Sequence, residues 1–181
     1  MGGIEHVFVD FSPKVLKKLR YGNKICITGV GVGLKLLDAP EVTVANLSPT
    51  FLKKMKPVLK EGKLRVKVAK QVPACIMGSG LGSGHVYRGD YDIQMFDEGK
   101  VAEYGLGDLR LGDLVALIDA DNTFGRIYLQ GAVTIGIVSH GQCMTAGHGP
   151  GVTCLLTSAS GAIEPVVEAG ANIADLMGLR E

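Results

Sequence analysis

The chain has 181 residues, of which 46% are hydrophobic and 20% charged, and its mean hydropathy is +0.25. This length and composition predict one compact domain with a sizeable core and exclude a disordered chain. No apolar run approaches the length of a membrane span, and the N-terminus lacks the basic-then-apolar order of a signal peptide. We therefore expect a cytoplasmic protein with no membrane partner.

The net charge of +1 hides a strong asymmetry along the chain. Residues 1–70 contain 14 Lys or Arg and 5 Asp or Glu, whereas residues 71–181 contain 5 and 13. The basic part could meet an anion or a nucleic acid, or the two parts could attract each other. We favour mutual attraction and disfavour nucleic acid, because aromatic residues are only 6% and no nucleic-acid motif is present. We expect a single β-rich domain over residues 1–181; the alternative is a basic α+β portion (1–70) packed on a β portion (71–181).

The first part of the chain predicts two short helices between strands. Ser12 with Pro13, and Ser48 with Pro49, are typical of helix starts, and Gly22 and Pro57 are typical of their ends. Alternation or β-branched residues predict strands over 5–11, 24–29, 29–38, 41–47 and 63–70.

The second part predicts most of the sheet. Residues 77–94 are too rich in glycine for regular structure before Tyr91, and apolar strands are expected over 113–119, 126–140 and 152–158. The stretch 164–179 has the apolar spacing of a helix. The sequence therefore predicts a mainly β fold with barrel-like or sandwich packing of antiparallel strands and two or three short helices.

The cysteines and the glycine loops do not match the motifs of common cofactor sites. Cys26, Cys75, Cys143 and Cys154 form no CxxC pair and lie in apolar surroundings, so we expect buried, reduced thiols. The glycine loops at 29–33 and 78–84 satisfy neither GxGxxG nor GxxxxGK[ST]. No nucleotide cofactor is indicated.

Histidines and aspartates mark a candidate site. His140 ends the longest apolar strand, His148 lies in GHGPG, Asp92 in GDYD and Asp121 in DADN. A return of the chain after His140 would bring His148 back towards it, although a hairpin over 113–140 would place Asp121 and His140 at opposite ends. Imidazole and carboxylate groups suit general acid–base catalysis or a divalent metal. The candidate catalytic residues are His148, His140, Asp121 and Asp92, and the candidate ligands for Zn, Mn or Fe are His140, His148 and Asp92.

A structural interpretation of the same residues stays open. DADN and GDYD have the composition of turns, and a lone histidine is more often a structural hydrogen-bonding group. The glycines around His148 favour function, because they fix one polar side chain on a loop. HExxH and GxSxG are absent, and Cys143 is disfavoured as a nucleophile.

Long blocks of the chain resemble a known family. GGIEHVFVDF, GVGLKLLDAPEVTVANLSP, IMGSGLGSG, LRLGDLVALIDADNTFGRIYLQGAVTIGIVSHG and AGHGPGVT resemble the prokaryotic domain of unknown function 4438. The resemblance covers essentially the whole chain and implies a mainly β fold, but it implies no activity and no catalytic residue. Members of this family carry a further N-terminal segment. The resemblance therefore implies a shortened form, a removed segment or a companion chain that carries it, and an unpaired sheet edge would favour a homo-oligomer.

Two functional hypotheses follow. GDYDIQ followed by LGDLVAL is similar in order to motifs of acetamidase/formamidase-like hydrolases, which are β-rich and use metal. We therefore expect a hydrolase that acts on a small-molecule ligand, with metal assistance. The alternative is a non-catalytic ligand-binding or oligomeric assembly protein, with an anion or nucleic-acid binder as its less favoured variant.

Overall fold

A computed structural model describes residues 11–26, 28–87 and 89–179. These residues form nine strands and four short α-helices, with one 3-10 turn at Ala74–Ile76. The strands are β1 (Thr43–Val44), β2 (Val58–Lys60), β3 (Lys63–Val68), β4 (Lys70–Pro73), β5 (Tyr91–Asp92), β6 (Leu114–Asp121), β7 (Ile127–His140), β8 (Gly151–Ser158) and β9 (Ile163–Val167). The helices are α1 (Pro13–Leu16), α2 (Pro49–Met55), α3 (Glu98–Glu103) and α4 (Ile173–Met177). The predicted mainly β fold is confirmed.

The strands form two sheets. The larger sheet has the order β1-β8-β7-β6-β4, with β5 paired to β8, and the smaller has the order β2-β3-β9. Most pairs are antiparallel as predicted, but β4 with β6 and β3 with β9 are parallel. Neither sheet closes into a barrel over the part of the chain that is described.

The core lies on both faces of the larger sheet. Leu114 and Ala116 of β6 belong to a buried cluster that includes side chains of β3 and β9. Val115 and Leu117 point to the opposite face and belong to a second cluster with Ile93. A strand that is buried on both faces is a continuous apolar run, as β6 is. The second cluster also anchors the segment around β5 on the sheet, next to the ends of β7 and β8.

The predicted helix starts are confirmed. The helix α1 begins at Pro13 and α2 at Pro49, and the Ser48 side chain accepts a hydrogen bond from the Phe51 amide at 3.1 Å. The helix α2 ends before Pro57, as predicted, but α1 ends at Leu16, well before Gly22. The helix α3 is an addition to the predicted set, and its N-cap Asp97 accepts from the Lys100 amide at 3.0 Å.

Three predicted elements differ from the structure. The described residues of 24–38 are irregular, with turns at 32–33 and 37–38, and do not form the two strands predicted over 24–29 and 29–38. A Cβ at Gly31 would lie 2.8 Å from the Leu47 carbonyl oxygen, so the expected close backbone packing occurs there without a strand. The start of the predicted C-terminal helix is instead β9, and Pro165 is tolerated there because β9 has β3 as its single partner among the described strands. The predicted strand 5–11 lies almost wholly outside the described residues.

The cysteines differ in exposure. Cys154 is buried, Cys143 is partly exposed, and Cys26 and Cys75 are exposed, so the prediction of buried thiols is wrong for the last two. All four thiols are free of disulfides. None of the described helices is long and apolar enough to cross a membrane.

Candidate functional site

The sheet register brings Asp92 and His140 together. Gly151 of β8 pairs with Asp92 of β5 on one side and with His140 of β7 on the other. Residues directly opposite each other in antiparallel strands point to the same face, so the two side chains flank a position that has no side chain. They lean towards each other over it, and Asp92 Oδ1 lies 3.6 Å from His140 Nε2. A Cβ at Gly151 would collide with the His140 ring and the Asp90 carboxylate.

Asp90 completes a three-residue cluster. Its Oδ2 lies 2.6 Å from His140 Nε2. One ligand atom from each of Asp90, Asp92 and His140 lies within 4.8 Å of the others. Asp90 is not among the residues predicted from the sequence, although residues two apart in an extended segment share a face. That period of two in GDYD is the signal that identifies it.

His148 joins the cluster through Asp92. Its Nδ1 lies 3.0 Å from Asp92 Oδ2, and the Gly149 amide donates to the same oxygen at 3.3 Å. No described residue forms a hydrogen bond with His148 Nε2, and the side chain is 40% exposed. His148 therefore contacts the buried carboxylate with one nitrogen and directs the other towards solvent.

Two glycine-rich segments cross at this site. The Ser79 amide donates to the Gly147 carbonyl at 2.6 Å, and the Gly78 amide donates to the Asp92 carbonyl at 2.7 Å. A Cβ at Gly78 would collide with the Gly147 backbone. The loop 78–84 thus holds the backbone of Asp92, and the loop 141–150 holds His148, because glycine lets the two chains approach closely.

The electrostatics of Asp92 are unfavourable to its charged form. Its side chain is 2% exposed, and burial together with the nearby Asp90 charge raises the pKa of the Asp92 carboxyl. The Gly149 amide, His140 and His148 oppose this rise. A cation between the two carboxylates would offset both the desolvation and the repulsion.

His140 faces an acceptor at each ring nitrogen. Its Nδ1 lies 2.8 Å from the Gly141 carbonyl oxygen, and its Nε2 lies 2.6 Å from Asp90 Oδ2. With Nδ1–H donated to the Gly141 carbonyl, a cation shared by the Nε2 lone pair and Asp90 Oδ2 would satisfy both groups. A metal-binding histidine commonly donates its other N–H to a backbone carbonyl. Two carboxylates and one imidazole therefore fit Zn, Mn or Fe.

The structure does not bring Asp121 to this cluster. Asp121 Oδ1 accepts hydrogen bonds from Thr123 Oγ1 at 2.7 Å and from Thr157 Oγ1 at 3.2 Å. Thr157 lies six residues beyond Gly151 on β8, which is roughly 20 Å along a strand. Asp121 instead stabilises the turn after β6, in agreement with the structural interpretation of DADN. The other three candidates lie together, because His140 and His148 each contact Asp92.

These features define a mainly β protein with a carboxylate–imidazole cluster at one end of its larger sheet. The family model "Domain of unknown function (DUF4438), N-terminal" matches residues 1–53, and the model "Domain of unknown function (DUF4438), C-terminal" matches residues 54–177. The chain belongs to the DUF4438 family. The whole cluster lies within the C-terminal match.

One solved structure supports the fold. The crystal structure of TM1086 is 44% identical to this chain with a TM-score of 0.74, and the match covers 80% of this chain and 50% of that one. The chain thus matches half the length of that protein. No curated protein matches the chain.

Proposed function

We propose that this protein is a metal-assisted hydrolase of a small molecule. Asp90, Asp92 and His140 would hold a divalent Zn, Mn or Fe ion. The observation that carries this proposal is the convergence of the three ligand atoms within 4.8 Å. The contact of His140 Nδ1 with the Gly141 carbonyl supports it, because the contact leaves Nε2 as the ligand atom. The cluster is also accessible, since the side chains of Asp90 and His140 are each 32% exposed.

His148 has the position of a general base rather than of a ligand. Its Nδ1 lies 3.0 Å from Asp92 Oδ2, and a neutral imidazole that donates Nδ1–H to this oxygen would present its Nε2 lone pair as the base. When bound, a divalent ion lowers the pKa of a water molecule and polarises a carbonyl group. His148 Nε2 would accept a proton from the attacking water and return it to the leaving group. Asp92 would thus both bind the ion through Oδ1 and orient His148 through Oδ2.

The experiment separates these two roles. The protein is purified without an affinity tag or chelator and analysed by elemental analysis and native mass spectrometry. We expect near-stoichiometric metal in the wild type and in His148→Gln, and its loss in His140→Ala. His85→Gln is the matched control, because His85 is an exposed histidine outside the cluster.

Turnover of a panel of small amides then tests the catalytic role. We expect His148→Gln to lose at least tenfold in rate while it keeps its metal, in line with the ~10²–10⁴-fold that general acid–base groups contribute. Full activity in His148→Gln would contradict the assignment of His148 as the general base. Metal retention in His140→Ala would contradict the proposed metal site. The homo-oligomer, the companion chain and the cytoplasmic location stay predictions.

A further inference from the structure

The hairpin of β2 and β3 presents a basic outer face. Leu64 of β3 is buried in the core, so its neighbours Lys63 and Arg65 point outwards. Val58 of β2 lies opposite Arg65, and Lys60 lies opposite Lys63. Residues opposite each other in antiparallel strands share a face, so Val58 and Lys60 also point outwards. Val58 is 57% exposed, and β2 is an edge strand among the described strands, so this apolar and basic face is open to another molecule.

The positive charge at the turn of this hairpin is not neutralised. Arg65 forms an ion pair with Glu164 at 2.8 Å. Lys63 forms no ion pair with a described residue, and Lys60 lies 3.9 Å from the exposed carboxylate of Glu61. A surface pair at such a distance contributes little. The turn therefore presents the charges of Lys60 and Lys63 to solvent.

A cleft of about 600 Å³ has the complementary character. Its apolar lining includes Met95, Val101 and Ala102. Lys70 and Asp108, two charged residues of the lining, pair with each other at 2.6 Å, and Glu98 forms no ion pair with a described residue. The lining is therefore net negative, and the segment 97–108 contains four Asp or Glu and one Lys. The cleft suits a partner surface that is both apolar and positively charged.

One copy of the chain cannot place its own hairpin turn in its own cleft. The turn precedes Lys63, the first residue of β3, whereas Lys70 of the cleft follows Val68, the last residue of β3. A strand from Lys63 to Val68 is roughly 17 Å long. Because β2 is held against β3 in register, the turn points away from the cleft. Contact between the two complementary surfaces therefore needs two copies.

We propose that the cleft of one copy binds the β2–β3 hairpin of a second copy. Val58 of the hairpin then packs against the apolar lining, and Lys63 lies at Glu98. The contact is heterologous, because it uses a different surface on each copy, so it closes into a ring or continues as an open chain. It goes beyond the proposed hydrolase, since it assigns an assembly surface outside the metal cluster.

The oligomeric state in solution tests this contact. Sedimentation velocity of the full chain should show association in the micromolar range of protein concentration. Association should be roughly tenfold weaker in 1 M than in 0.1 M NaCl, because the Debye length falls from ~10 Å to ~3 Å. Glu98→Lys should weaken it about tenfold at the lower salt concentration, since it places like charges together.

Two variants block opposite sides of the contact. Ala102→Trp fills the cleft from an exposed position of α3, and Lys60→Glu with Lys63→Glu reverses the charge of the hairpin. Each variant alone should associate at least about tenfold more weakly than the wild type. An equimolar mixture should form a one-to-one dimer that does not grow, because one intact hairpin and one intact cleft remain. Lys17→Glu with Lys18→Glu is the matched control, because it reverses two exposed lysines outside the hairpin.

Three results would overturn the proposal. A wild type that stays monomeric throughout the micromolar range would leave the cleft to a different partner. Wild-type association of either variant would place the contact elsewhere on the surface. A mixture that stays monomeric, although circular dichroism shows both variants to be folded, would exclude the contact of hairpin and cleft. Metal binding is measured separately, so failure of this assembly is distinguishable from failure of the proposed hydrolase.

Discussion

Replacement of Gly151 by alanine should disrupt the cluster without changing any of its polar groups. An added Cβ collides with His140 Nε2 and with Asp90 Oδ2, the two atoms that we assign as ligands. Both side chains would have to move, because Gly151 lies on a buried strand whose backbone is fixed by β5 and β7. The variant therefore tests whether metal binding depends on the gap over Gly151.

The size of the effect follows from the geometry. Inserting a methyl group into a packed position costs ~1–3 kcal/mol of folding free energy. Loss of the outer partners that orient a metal ligand typically costs ~10–100-fold in metal affinity, and displacement of the ligands themselves should cost at least as much. We expect the folding cost to be at the low end, because Asp90 and His140 are partly exposed and can move outwards. Metal affinity should fall by at least tenfold, because the two ligands would then diverge.

Isothermal titration with Zn²⁺ measures the metal affinity, and circular dichroism measures the free energy of unfolding. Gly170→Ala is the matched control, because no described atom lies within 4 Å of a Cβ there and its φ is not positive. Wild-type metal affinity in a folded Gly151→Ala protein would refute the assignment of His140 and Asp90 as ligands. Equal loss of affinity in Gly170→Ala would show a general effect of the substitution.

Three further predictions concern Asp92, the thiols and metal removal. The raised pKa of Asp92, above its ordinary value of 3.8, means that the folded state disfavours its charge. The free energy of unfolding of the metal-free wild type should therefore fall, relative to that of Asp92→Asn, as pH rises above about 4. Urea titrations of both proteins at pH 4 and pH 7 measure this difference. An equal difference between the two proteins at both pH values would contradict the prediction. Burial raises the pKa of the Cys154 thiol to about 12, whereas hydrogen bonds from Thr145 lower that of Cys143. Iodoacetamide at pH 8 should thus modify Cys143 and leave Cys154 intact until the protein unfolds, as peptide mass spectrometry would show; early modification of Cys154 would contradict its burial. Metal at 100 times its Kd should stabilise the protein by ~2.7 kcal/mol, and a chelator should reverse the rise in Tm; an unchanged Tm would contradict a folded-state metal site.

The sequence predicts much of the site because its residues are fixed by local patterns. His140 ends an apolar strand, and the glycines around His148 mark a tight return of the chain, so their meeting follows from the hairpin geometry. Asp90 is the residue that this interpretation misses, because GDYD also has the composition of a turn. Asp121 shows the opposite error, because the sequence predicts it in the site and the structure places it elsewhere. It ends an apolar strand, but Asp119, with φ 61, bends the chain so that Asp121 contacts Thr157.

Long-range pairing accounts for the elements that the sequence does not predict. The strand β9 forms only because Leu64 and its neighbours on β3 pair with Ile163 and the residues that follow it, almost a hundred positions away. The local hydrophobic pattern carries no information about a pairing over this distance. The stretch 164–179 also ends in a helix, α4, and its apolar spacing therefore predicts a helix throughout. The segment 24–38 shows the opposite case. Its β-branched residues favour a strand, but it pairs with no strand among the described residues.

Anomalous X-ray diffraction from crystals grown with Zn²⁺ or Mn²⁺ tests the metal site most directly. We expect one strong peak between Asp90, Asp92 and His140, with ligand distances of about 2.0–2.2 Å. His148 should remain in contact with Asp92 Oδ2 and outside the ligand set. Absence of a peak there, with Asp90 and His140 in direct hydrogen bond at saturating metal, would contradict the central claim.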